Sequence, residues 1–201
     1  MELALVSGLV LFAFATSITP GPNNLMLLAS GANFGVRRTV PHMLGISGGF
    51  CVMVFLVGVG LVGLFDLWPT LRTVLAVLSV LYMLWLAWRI ARAAAPETGA
   101  GEAGRGARPM TFVEAALFQW VNPKAWAMAL SAVTVYAPGR EIVAVAAVAV
   151  VFAFVNLPSV GVWAWLGQTL RRWLTSPGRL RAFNWTMAGL LVLSLYPVLA
   201  G

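Results

Sequence analysis

Apolar residues in this chain run in long blocks, without the alternation or the three-to-four spacing of half-buried elements in soluble proteins. Six blocks stand out: Leu3–Ala32, Met43–Phe65, Thr70–Ala91, Phe112–Tyr136, Ile142–Leu166 and Ala182–Ala200. A helix needs about 20 residues to cross a bilayer, so most of them fit directly. The first is too long for an upright span and suits two half-helices or one strongly tilted helix. Two blocks are broken from within, at Thr19-Pro20-Gly21-Pro22-Asn23-Asn24 and at Trp120-Val121-Asn122-Pro123-Lys124. An interior proline removes a backbone donor and frees polar groups. Lipid cannot satisfy those groups; protein, a water-filled cavity or a ligand must. Matched interruptions in two halves of a chain point to a transporter's binding site. Asn156-Leu157-Pro158 reads as a further interruption near the middle of the fifth block, and Pro41 and Pro69 fall just before or at helix starts.

Composition narrows the class. Of the 201 residues, 61% are hydrophobic and 9% charged, against about a quarter charged in a soluble domain. That leaves an all-α polytopic membrane protein with no soluble catalytic domain. The net charge of +7 does not indicate nucleic acid, because the arginines gather in short loops between apolar blocks. Arg37, Arg38, Arg89, Arg92, Arg105, Arg108, Arg171, Arg172, Arg179 and Arg181 fall in loops one, three and five; only Arg72 and Arg140 fall on the other side. By the positive-inside rule the odd loops are cytoplasmic and both termini face outward. The Gly- and Ala-rich basic stretch at about 93–110 reads as a linker inside a single transmembrane domain, 1–201. It separates a first repeat at about 1–92 from a second at about 111–201. Each has three spans, so the two insert with opposite orientation, and the broken spans are numbers one and four. The start, Met1-Glu2-Leu3, has no basic leader region and reads as a retained helix.

Candidate chemistry gathers at the breaks. Gly21 permits unusual backbone angles, and Asn23 and Asn24 are placed to cap the half-helix that restarts at Leu25. Such a start suits a carboxylate. Lys124 lies near mid-membrane, where an ammonium costs about 2.5–3.5 kcal/mol on insertion scales. Asp66, Glu114 and Glu141 all sit near span ends. Its neutraliser is therefore a bound anion, carbonyl oxygens or loss of its proton. A zwitterionic substrate fits: carboxylate to Lys124 and the helix starts, ammonium to freed carbonyls and to Asn23, Asn24 or Asn122. The candidate binding set is Pro20, Gly21, Pro22, Asn23, Asn24, Asn122, Pro123, Lys124 and Asn156. Asn156 with Pro158 fits a cavity wall and simple packing equally well. Gly45, Gly48 and Gly49 suit close helix packing. His42, the single histidine, sits beside Arg37 and Arg38 and reads as a titrating group or a solvated loop residue. Trp68, Trp88 and Trp173 suit interfacial anchors, while Trp120, Trp126 and Trp163 are interior, as cavity wall or lipid-facing filler. Cys51, alone, rules out an internal disulfide and a four-thiolate metal site. No phosphate-cradling loop, metal-spaced cluster or nucleophile–base pair is present, so no cofactor and no enzymatic activity are expected.

The residues Thr19-Pro20-Gly21-Pro22-Asn23-Asn24-Leu25-Met26-Leu27, Gly35-Val36-Arg37-Arg38 and Leu44-Gly45-Ile46, with Asn122-Pro123-Lys124-Ala125-Trp126, resemble the LysE/RhtB family of amino-acid exporters. Tyr82-Met83-Leu84-Trp85-Leu86-Ala87-Trp88-Arg89 is similar to the branch that exports cysteine and O-acetylserine. The resemblance implies proton-driven efflux of amino acids or close derivatives across a bacterial inner membrane. The alternative is a non-transporting scaffold or assembly subunit, in which changes at Asn23, Asn24 and Lys124 alter complex formation instead of flux. Expected partners are a small zwitterion and lipid; a bundle this small is also of a size at which homodimers are ordinary.

Overall fold

Without soluble periodicity, the apolar blocks bury their backbone polarity as helices. A computed structural model describes residues 3–93 and 108–196, and every regular element among them is helical. The first block is α1 (Leu3–Ile18) and α2 (Pro22–Phe34), bent by 57° at the Pro-Gly-Pro break. The second is α3 (Val36–Leu56), which continues through a π-helical turn (Val57–Leu61) to the short α4 (Gly63–Leu67). Gly60 takes φ 111° there, an angle open to glycine at little cost. α5 (Thr70–Ala91) is the third. The fourth is α6 (Phe112–Phe118), a 3-10 turn (Gln119–Val121) and α7 (Pro123–Tyr136). α8 (Ile142–Arg171) and α9 (Pro177–Leu193) complete the chain. Val36–Leu61, Thr70–Ala91 and Ile142–Arg171 are long and apolar enough to cross a membrane, and the bent α1–α2 pair makes a fourth, broken span. The fold is an all-helical, multi-pass membrane protein.

Two expectations about proline are corrected. α8 is continuous through Asn156-Leu157-Pro158. One proline forfeits one intrahelical bond, and the helix, packed on three neighbouring helices, continues through it; Ser159 Oγ also donates to the Val155 carbonyl at 2.7 Å. Pro41 lies inside α3, which begins at Val36, earlier than the apolar block suggested. The linker expected at about 93–110 falls mostly outside the described residues. Its end is fixed: Arg108 donates to both Glu114 oxygens at 2.6 and 2.7 Å, and Thr111 and Glu114 form a reciprocal cap on α6.

α8 is the spine, packing along α1, α2 and α3. Small residues set how closely it lies. Gly31 faces the Ala164 carbonyl, and Gly167 faces the Leu28 carbonyl and Ala32. On the other flank Gly45 and Gly49 lie against the backbone of Phe112 and Ala116, whereas Gly48 meets only the Phe112 ring. A side chain at Gly31, Gly45, Gly49 or Gly167 would strike backbone, which cannot move aside. Further in, Phe50 and Phe152 pack edge to face at 5.2 Å. At the arginine-rich end, Asn33 on α2 donates to Asn184 on α9 at 2.9 Å, and Asn184 donates to the Ala93 carbonyl at 2.7 Å. Gly167→Val should therefore lose about 1–3 kcal/mol of stability by overpacking. Gly189→Val, at a position with open space, should melt like the parent in a detergent thermal-shift assay.

Candidate functional site

The backbone of the first break is ordinary, and the side chains around it are not. Gly21 is fully extended (φ −178°, ψ 178°) and precedes Pro22, the first residue of α2, whose first turn has no side-chain cap. Asn23 and Asn24 are thus inside the helix and do not cap it. Proline's fixed φ starts the helix earlier than the sequence pattern implied. Asn24 folds back to donate to the carbonyls of Ser17 (2.8 Å) and Thr19 (2.7 Å). Trp163 of α8 donates its indole N–H to the Ile18 carbonyl at 3.0 Å. Lys124 Nζ reaches the carbonyls of Thr19 (2.6 Å) and Pro20 (3.4 Å). Every carbonyl from Ser17 to Pro20 therefore accepts from a side chain.

Lys124 is the single lysine of the chain. It follows Pro123 at the start of α7, the positive end of its own helix, yet its ammonium lies at the carbonyl end of α1, the negative end of another. That pairing resolves the unpartnered charge in favour of carbonyl oxygens. The carbonyls read in the sequence as partners for a substrate ammonium thus also accept the lysine. Gly21 makes the approach feasible: a Cβ there would sit 2.7 Å from Lys124 Cδ.

The second break has its own closure. Asn122 Oδ1 accepts the Lys124 backbone N–H at 3.1 Å, capping α7, and the Trp126 indole donates to the Trp120 carbonyl at 2.8 Å. Trp120, Trp126 and Trp163 thus close breaks or flank them. The two breaks are joined by a doubled amide contact. Asn23 Nδ2 donates to Gln119 Oε1 at 2.9 Å, and Gln119 Nε2 donates back to Asn23 Oδ1 at 3.2 Å and to the Ala115 carbonyl at 2.8 Å. Gln119 is fully buried and was missed in the sequence. The available signal was a lone amide in an apolar block, three residues before Asn122.

Gly21, Asn23, Asn24, Asn122, Lys124 and Asn156 line one cavity of about 20 Å³, with Ser17 and Gln119. That volume holds about one water and no amino acid. The Ser17 hydroxyl is buried there without a partner among the described residues. Pro20, Pro22 and Pro123 shape the backbone around it and do not line it. His42 is not a solvated loop residue. Because α3 starts at Val36, it is carried into the bundle and is 1% exposed.

A family model described as "LysE type translocator" matches residues 14–196. The chain belongs to this family. A cysteine/O-acetylserine efflux protein of Klebsiella pneumoniae subsp. pneumoniae is 30% identical over 194 residues, 96% of this chain and 95% of that protein. Cysteine/O-acetylserine efflux proteins of Escherichia coli strain K12 and Shigella sonnei strain Ss046 are each 34% identical over 56 residues, 28% of this chain and 29% of theirs. No solved structure gives a significant match. The translocator is thus a transporter and not an enzyme. Its Asn23–Gln119 contact is open to a direct test. Interhelical hydrogen bonds in membranes are worth about 0.6 kcal/mol on average and up to about 1.7. A double-mutant cycle of Asn23→Leu and Gln119→Leu, read by denaturation in detergent micelles, should give a coupling energy in that range; additive losses would show that the amides do not interact.

Proposed function

We propose that the translocator exports a cysteine- or O-acetylserine-like amino acid across the bacterial inner membrane, by alternating access around the two breaks. The observation that carries the reading is the Lys124 ammonium on the Thr19 and Pro20 carbonyls, which ties the broken fourth span to the broken first. An ammonium has three donors. Two serve these carbonyls and the third is left for a substrate carboxylate, beside the uncapped start of α2. Asn23, Asn24, Asn122 and Asn156 supply the polar remainder of the site, and Pro20, Gly21, Pro22 and Pro123 hold it in shape. The cavity must widen to admit substrate, and parting the two breaks is the motion that widens it.

Six spans arranged as two inverted repeats, about 1–92 and about 111–201 with the linker between, agree with how the helices pack. Exchanging spans one with four, two with five and three with six maps packed pairs onto packed pairs. The contact of α8 with α1 and α2 becomes that of α3 with α6 and α7, while α3 with α8 and α5 with α9 map onto themselves. Relative movement of two such halves is the usual route to alternating access. The arginine asymmetry orients the odd loops to the cytoplasm and the termini outward. We assign proton coupling to Lys124, the ionisable group at the site.

Efflux of radiolabelled O-acetyl-L-serine and L-cysteine from proteoliposomes tests the reading. The translocator should accelerate efflux of at least one, faster with an imposed proton gradient. Lys124→Ala should lower the initial rate by at least about tenfold, the loss of one charge-assisted contact, while eluting as the parent does on size exclusion. Parental flux in that variant would remove Lys124 from the site. Flux indifferent to the gradient would remove the coupling.

A further inference from the structure

A second cavity, of about 280 Å³, opens at the arginine-rich end and shares no lining residue with the breaks. Its walls come from α2, α3, α5 and the approach to α6, including Ser30, Asn33, His42, Arg89, Arg92 and Arg108. Its size is close to the lower bound of small-ligand pockets, roughly 300 Å³.

Its polar groups fall into two kinds. Three are already engaged. Ser30 pairs with Thr39 at 2.9 Å, Asn33 with Asn184, and Arg108 with both oxygens of Glu114. Glu114 also accepts the Thr111 N–H at 2.8 Å, so its carboxylate is taken up. The others have capacity left. Arg89 gives one hydrogen bond, to the Arg108 carbonyl at 3.1 Å, and lies over the Trp85 ring; Arg92 lies over Trp88 at 4.5 Å. Neither has a carboxylate partner among the described residues. His42 is the sharpest case. It is 1% exposed, it lines the cavity, and neither ring nitrogen has a hydrogen-bond partner among the described residues. A buried polar group without a partner calls for an unseen one, and a neutral imidazole offers one donor and one acceptor.

We infer that this cavity is a second binding site for a small carboxylate-bearing zwitterion, set apart from the breaks, with Arg89 and Arg92 taking the carboxylate and His42 hydrogen-bonding the ligand. Guanidinium groups suit a carboxylate, and each of these two is stacked on a tryptophan ring of α5 while lining the cavity. A ligand loaded here lies along α2 from the break, so the site is placed to receive substrate before it reaches Lys124. The ligand class rests on the export reading; the site itself does not.

His42 is the only histidine, so its ring signals assign themselves in a protein purified without a histidine tag. The test adds O-acetyl-L-serine, L-cysteine, glycine or acetate to ring-¹⁵N-histidine protein in nanodiscs and follows those signals. At least one zwitterion should shift them saturably and acetate more weakly. The Arg89→Gln/Arg92→Gln variant should weaken that binding by at least about tenfold. Arg140→Gln, at the opposite end of α8, should leave it unchanged. Signals unmoved by every probe, or moved equally in the double variant, overturn the site. Saturable shifts in a protein that exports none of the probes keep the site and overturn the export reading; efflux with silent His42 signals does the reverse.

Discussion

A helix broken inside a membrane leaves carbonyl oxygens that lipid cannot satisfy, and in this translocator the rest of the bundle is arranged to satisfy them. Lys124, Asn24 and Trp163 converge on the carbonyls from Ser17 to Pro20. One donor comes from α2, one from the start of α7 and one from α8. The break is therefore a junction between elements far apart in the chain. The lysine is held there because the carbonyl end of α1 offsets the unfavourable start of α7. Gly21 lacks a side chain where the lysine stem must pass, and Asn122 uses its side chain to cap α7 and fix the lysine's backbone.

This junction explains why the two cavities differ. Around the breaks Asn23, Asn24, Gln119, Asn122 and Lys124 are all hydrogen-bonded, and the space left, beside the unpartnered Ser17 hydroxyl, holds about one water. Toward the arginine-rich end, glycine contacts draw α2 onto α8 and α3 onto α6, while α5 leaves an opening beside His42. Asn33, at that opening, is eleven residues beyond Pro22, or about 16 Å along the helix. Polar groups thus lie along α2 in two separate layers.

Much of this was legible in the sequence, and the failures share a cause. The apolar blocks, the two breaks and the arginine imbalance are properties of composition and order along the chain, and they set the class of fold. Lys124 was legible as a charge needing a neutraliser, though not which one, because its partners lie more than a hundred residues away. Asn24 looked like a cap because a cap is local; it serves the preceding helix instead. Pro158 looked like a break because its cost is local, whereas the packing around α8, which continues through it, is not. His42 looked solvated because two arginines stand close to it in sequence, but α3 starts at Val36, so the exposed arginines occupy its first turn and His42 lies a turn deeper, where it is buried. Gln119 went unremarked since a single amide says little until Asn23 is found opposite it.

The central claim is that the Lys124 ammonium holds the broken first span and keeps one donor for the substrate. Because it is the only lysine, reductive methylation followed by mass spectrometry of its peptide reads this one side-chain amine. In nanodisc-held protein the reaction should be slow, since two donors are engaged with carbonyls, and slower still on addition of an amino acid that the same preparation transports. A rate typical of an exposed lysine, or one unaltered by a transported substrate, would contradict the account.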